Sequence, residues 1–142
     1  MSAAAPPTLP AMLEQNPRLD QWVRFPEPGR VTVSTGRVEI GQGVLTAMRQ
    51  IAAEELDVSP ERILLHTGDT ELTPNEGYTA GSQSIQFGGV ALRLACAEVR
   101  ARFLDYAAAS FGYARPDLAV HAPKQLGRRF EEKRACDVDR PE

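Results

Sequence analysis

Two cysteines in 142 residues, Cys96 and Cys136, leave little room for thiol chemistry. They lie far apart without a CxxC spacing, so this sequence cannot by itself ligate an iron–sulfur cluster, which usually takes four thiolates. They are also too sparse for the disulfide framework of a secreted mini-protein. Cys96, on an apolar helix face, is expected to behave as a small core hydrophobe. Basic charge is not in excess: 16 Lys and Arg against 19 Asp and Glu leave a net charge of −3. That balance excludes the basic stripe of a nucleic-acid scaffold. Aromatic residues make up only 6% of the chain, too few for base-stacking platforms. No apolar run approaches the roughly 18 residues of a membrane span. Residues 1–7 carry neither a basic stretch nor an apolar one of the secretory kind, so the expected location is cytoplasmic. Proteins and small molecules remain as partners.

What is present fits one small domain, with 42% hydrophobic residues. Residues 1–15 are rich in Ala and Pro and read as a flexible lead. Residues 22–25 and 31–35 read as two short strands joined by a turn at Pro26-Glu27-Pro28-Gly29, a hairpin. Gly36 interrupts the second run, and residues 38–40 continue extended. A helix over residues 45–56 places Leu45, Met48, Ala52 and Leu56 on one side, with Ile51 beside them and Arg49, Glu54 and Glu55 opposite. Ser59-Pro60 fits an N-cap with proline in the first helical position. Residues 63–67 form a strand, and residues 70–81 a polar loop. A long helix follows over residues 84–109, with Phe87, Val90, Leu94, Ala97, Ala101, Leu104 and Ala108 as its apolar stripe. From residue 113 onward no period is visible and charge is dense, the pattern of an irregular tail. The fold class is α+β: a short mixed sheet, hairpin plus one further strand, against two helices of which the second is long.

Two turns stand out. Gly41-Gln42-Gly43 lies at a strand-to-helix junction, and Thr79-Ala80-Gly81-Ser82-Gln83-Ser84 opens the second helix. The first N–H groups of a helix lack intrahelical partners and favour anions, so two such ends can converge on one ligand. The plain alternatives are a tight connection made by glycine and a helix capped by Ser82 or Ser84. The Gln42 carboxamide offers both donor and acceptor, and Thr46 adds a hydroxyl one turn on. Asp69-Thr70 reads as an Asx-type turn. His66 has no second histidine near it and reads as structural. His121 falls in the irregular tail. Glu54-Glu55 read as a solvated helix face rather than a catalytic pair. There is no Walker loop, no nucleophile elbow and no zinc-ligand spacing.

The order of these motifs resembles the molybdenum hydroxylases. Residues 31–39 lead into Gly41-Gln42-Gly43. Thr46, Ala52-Ala53-Glu54-Glu55-Leu56, Gly68-Asp69-Thr70, Pro74 and Thr79-Ala80-Gly81-Ser82 then follow. The pattern is similar to the large, molybdopterin-binding subunit of the xanthine dehydrogenase and aldehyde oxidase family, in its isoquinoline 1-oxidoreductase type. Asn16-Pro17-Arg18-Leu19-Asp20 also fits that type, in which this segment lies near the N-terminus of the large chain. The resemblance covers about residues 16–112, and the combined order is more specific than either turn.

The resemblance implies a cofactor, molybdopterin in a dinucleotide form. Its candidate contacts are Gly41, Gln42, Gly43, Thr46, Thr79, Ala80, Gly81, Ser82 and Ser84, with Gln42 near the metal end. It implies hydroxylation of a carbon beside a ring nitrogen, or of an aldehyde carbon, with water as oxygen source. The family's GGxFG stretch and catalytic glutamate belong to a part of the large chain that this sequence does not match. No catalytic or directly metal-ligating residue is therefore assigned, and Glu54 and Glu55 are not promoted to that role. The expected partners are a complementary large-subunit chain and a [2Fe-2S] subunit, with self-association through uncovered faces. The sequence is expected to be an N-terminal fragment, inactive alone. The alternative is a cofactor-free assembly module, a relic domain that oligomerises.

Overall fold

A computed structural model describes residues 9–118 and 120. Strands β1 (Val23–Glu27), β2 (Arg30–Thr35) and β3 (Ile63–Thr67) form one sheet in the order β1-β2-β3. β1 pairs antiparallel with β2, as a hairpin must, and β2 pairs parallel with β3, from Val31↔Ile63 to Thr35↔Thr67. Parallel neighbours need a crossover, and α2 (Val44–Leu56) supplies it. Pro26 falls where the β1–β2 register is irregular, on an edge strand where a missing N–H is tolerated. The expected mixed sheet with two helices, the second long, is what forms.

Alternation sets which side of the sheet is covered. Ile63 is buried and Leu65 packs against the core, whereas Leu64 between them is exposed. α2 buries Met48, Ala52 and Leu56 of the face its spacing predicts, together with Val44 and Ala53, while Leu45 and Ile51 are half-buried. Against it lies the helix α3 (Val90–Phe111). Ion pairs Arg93–Glu55 and Arg100–Asp57 flank the helix–helix contact. Glu55 thus reaches its neighbour instead of standing free.

Two features differ from the sequence reading. The buried face of α3 is Ala91, Leu92, Ala95 and Cys96, with Val99 beside them. Of the anticipated stripe, Phe87, Val90 and Leu94 face outward, each more than two-fifths exposed, while Ala97, Ala101, Leu104 and Ala108 are half-buried. The long helix opens with a π-helical turn, Ser84–Gly89, whose wider winding shifts the residues that follow onto another face. Apolar residues lie on both sides of this helix, so spacing alone could not choose between them. Residues 11–15, assigned to the flexible lead, form a short helix α1 (Ala11–Gln15). It is held because Leu13 is buried and the Asn16 side chain is tied to the Met12 and Asn75 carbonyls, at 3.0 and 2.9 Å. Residues 1–8 of the lead, and residues 119 and 121–142 of the tail with His121 and Cys136, lie outside the described residues.

Candidate functional site

The first turn is closed by its own side chains. Gly41 and Gly43 adopt positive φ, 95° and 74°, which turns the chain from β2 into α2. Glu39 reaches over the start of α2: its Oε1 accepts from the Gly41 and Gly43 amides at 2.9 and 2.8 Å, and its Oε2 from Leu45 N at 3.2 Å. The amides of Gly43 and Leu45, foremost, hold the Glu39 carboxyl below its ordinary range. Gln42 folds back as well. Its Oε1 accepts from Ile40 N at 2.6 Å and its Nε2 donates to the Val38 carbonyl at 3.0 Å. A carboxamide has two further positions, one hydrogen and one lone pair, and Gln42 is exposed. A methyl group placed on Gly41 or Gly43 would meet nothing within 4 Å, so the outer side of the turn is open. Thr46 lies exposed one turn on.

The second turn is closed by its backbone rather than by side chains: Ala80 N donates to the Tyr78 carbonyl at 3.1 Å and Gln83 N to the Ala80 carbonyl at 3.2 Å. No side chain caps the Ser84–Gly89 turn, so neither Ser82 nor Ser84 makes the capping bond that the plain alternative requires. Ser82 stands at φ 59°, a left-handed conformation that costs a non-glycine residue about 1–2 kcal/mol. Ala80, Gly81 and Ser82 are exposed, and Thr79 and Ser84 half-buried.

Thr79 joins the two turns, its Oγ1 accepting from Val38 N at 3.0 Å. Arg37, just before the first turn, donates from Nη1 to the Tyr78 carbonyl, just before the second. The segment that leads into the first turn and the start of the second are thus bonded neighbours. Beneath them Arg37 and Glu76 form a fully buried ion pair, with Nε 3.5 Å from Oε1. Sequence reading missed Arg37, Glu76 and Glu39. Arg37 had a signal, because Val31, Val33, Thr35 and Arg37 share one parity and all are buried. Glu76, in a polar loop, had none.

The remaining candidates are peripheral. Asp69 Oδ1 accepts from the Glu71 and Leu72 amides at 2.9 and 3.0 Å, the expected Asx-type turn, and these bonds lower its carboxyl pKa. His66 Nε2 lies 3.6 Å from Asp69 Oδ2, on the partly exposed end of β3. Among the described residues no group of three or more His, Cys, Asp or Glu could hold a metal ion. Nor, among them, is any helix long and apolar enough to cross a membrane.

Residues 4–137 match the family model of the molybdopterin cofactor-binding domain. The chain is 37% identical over 91 residues to a nicotinate dehydrogenase subunit from Pseudomonas putida, covering 64% of this chain and 8% of that protein. It is 42% identical over 78 residues to the gamma subunit of the 6-hydroxypseudooxynicotine dehydrogenase complex of Paenarthrobacter nicotinovorans, covering 54% of this chain and 10% of that one. Among solved structures, CO dehydrogenase from Oligotropha carboxidovorans superimposes with a TM-score of 0.62 at 30% identity, over 69% of this chain and 12% of that one. Quinoline 2-oxidoreductase from Pseudomonas putida 86 gives 0.61 at 29%, over 70% and 13%. The chain spans about a tenth of the length of these relatives. With the matching model spanning nearly the whole sequence, the chain belongs to the molybdopterin cofactor-binding domain family of the molybdenum hydroxylases.

Proposed function

We propose that the chain is a molybdopterin-binding segment of a molybdenum hydroxylase that becomes catalytic only with complementary chains. The observation that carries this reading is the bond between Val38 N and Thr79 Oγ1. It ties the segment that leads into Gly41-Gln42-Gly43 to the start of Thr79–Ser84, and Gly41–Gly43 and Ala80–Ser82 are exposed. When bound, the cofactor supplies the redox centre for hydroxylating an N-heterocycle or an aldehyde with water as oxygen source.

The two turns divide the work. At the first, Glu39 already occupies the amides that an anion would seek. This turn therefore offers the free hydrogen and lone pair of Gln42 to a neutral polar group near the metal end. The second turn, without a side-chain cap, takes the anionic, phosphate-bearing end of a dinucleotide form through the Gly81 and Ser82 N–H groups, which its own backbone bonds leave open, and the Ser82 and Ser84 hydroxyls. Thr46, Ala80 and Gly81 line the approach. The partners are a complementary large-subunit chain and an iron–sulfur subunit, consistent with relatives named as subunits of larger complexes.

The test is molybdenum content after affinity purification from a host that makes the cofactor, with co-purifying proteins identified. Near-stoichiometric metal together with an iron–sulfur partner is the expected result, and Gln42→Ala should lower metal retention without changing the fold. A folded, metal-free oligomer without a partner would instead favour the second reading, a cofactor-free assembly module. The exposed face of α3 is the observation on that side.

A further inference from the structure

Arg37 and Glu76 belong to neither turn, and the function proposed above does not use them. Their bonds cross between the loops. Glu76, in the second loop, accepts through Oε2 from Thr35 Oγ1 and Gly36 N, both at 2.6 Å, at the end of β2. Arg37, on the first-turn side, donates to the Tyr78 carbonyl of the second loop, while the Arg37 carbonyl accepts from Thr67 Oγ1 at the end of β3. The π-helical turn closes over the pair. A methyl group on Gly88 would stand 2.4 Å from Glu76 Oε1 and 3.3 Å from Arg37 Nε. The pair is thus gripped by both loops, two strand ends and the start of the long helix.

As a source of stability the pair is poor. Its closest approach is 3.5 Å, and Arg37 Nε and Nη2 and Glu76 Oε1 make no hydrogen bond among the described residues. A buried ion pair of this kind is often no better for stability than apolar side chains of the same volume. What apolar side chains could not do is fix which backbone groups of one loop meet which of the other.

We propose that the Arg37–Glu76 pair is the pivot that sets the spacing of the two ligand-facing turns, which makes both side chains positioning residues for the bound cofactor. The proposal rests on the molybdopterin-binding reading for its consequence but not for its geometry. One shortened or misdirected contact at the pivot shifts the Thr79 hydroxyl away from Val38 N, and with it the Thr79–Ser84 turn away from Gln42.

The test compares the full chain with Arg37→Met/Glu76→Leu by amide hydrogen exchange and by molybdenum retention after co-expression. The reporter is the Val38 amide, whose hydrogen bond goes to Thr79 Oγ1 and to neither side chain of the pair, its exchange being compared after correction for the changed neighbouring residue. In the double variant the β2–β3 ladder amides should keep their protection while Val38 exchanges at least about tenfold faster. Retention should fall even though the unfolding midpoint is held. Parent-like protection of Val38 in a folded variant overturns the pivot. If the double variant does not fold, Arg37→Gln, which removes the bond to the Tyr78 carbonyl and leaves Glu76 on Thr35 and Gly36, is judged by the same amide. If the unmodified chain retains no molybdenum, the functional reading fails, while Val38 exchange still decides the pivot.

Discussion

Glu39 does for the glycine turn what a bound anion would otherwise do. Its carboxylate satisfies three amides at the start of α2, which is why its pKa is depressed. The sign of the consequence follows from linkage. A carboxyl whose folded pKa lies below its ordinary value of 4.5 stabilises the fold above that value, and the contribution is lost as pH falls through the folded pKa. The Gly41 and Gly43 amide resonances should therefore move together at a midpoint below pH 4.5, and Glu39→Gln should abolish that transition. A midpoint at or above 4.5 would mean that the carboxylate does not cap the turn. Cys96 works in the opposite direction. Burial foremost, with Glu55 nearby, pushes its thiol up to about 12, and the side chain is fully enclosed. In a Cys136→Ser chain, a thiol reagent should label Cys96 only as fast as the protein unfolds. Rapid native-state labelling would place Cys96 at a surface.

The second helix shows most plainly what can be read from a sequence and what cannot. Its existence, its length and the burial of Cys96 follow from residue type, and α2 follows from a clean period in Met48, Ala52 and Leu56. The face of α3 did not follow, because Phe87, Val90 and Leu94 repeat as well as Leu92, Ala95, Cys96 and Val99 do. What decides between them is tertiary: Leu92, Ala95 and Cys96 join the core that α2 also lines, behind the π-helical turn. Gly88 must sit against the buried pair, and no local pattern announces that Glu76 will be there. The two turns were legible as glycine and hydroxyl clusters, whereas closure of the first by Glu39 depended on how its side chain folds back, and the coupling of the two through Arg37 on reach across loops. Glycine substitutions separate these roles. Gly88→Ala drives a methyl group into two enclosed side chains and should cost roughly 2–3 kcal/mol in denaturant unfolding. Gly43→Ala meets open space and only strains a backbone at φ 74°, a cost of about 1–2 kcal/mol. If the cofactor lies over that turn, Gly43→Ala should nevertheless be the more damaging of the two to molybdenum retention per unit of stability lost.

Across the whole chain, apolar surface is left where a small domain would normally cover it. Phe87, Val90 and Leu94 are 46%, 44% and 43% exposed along one helix face, while Ile40 and Tyr78 beside the two turns reach 73% and 91%. Contiguous exposed apolar surface of this kind marks an interaction face. Relatives in which the matched segment is about a tenth of the chain have ample further polypeptide to lie over it. On the function proposed above the occupant is a complementary large-subunit chain, and Leu94→Glu tests that proposal. At a residue this exposed, the change should move stability by no more than about 0.5 kcal/mol. A buried carboxylate without a partner at an interface, by contrast, is costly enough to abolish docking. Co-purification of the partner and molybdenum retention should fall together while the unfolding midpoint holds. Conversion of a metal-free oligomer to monomer by the same substitution would show that this face pairs with its own copy, and would move the assembly reading ahead of the cofactor-binding one.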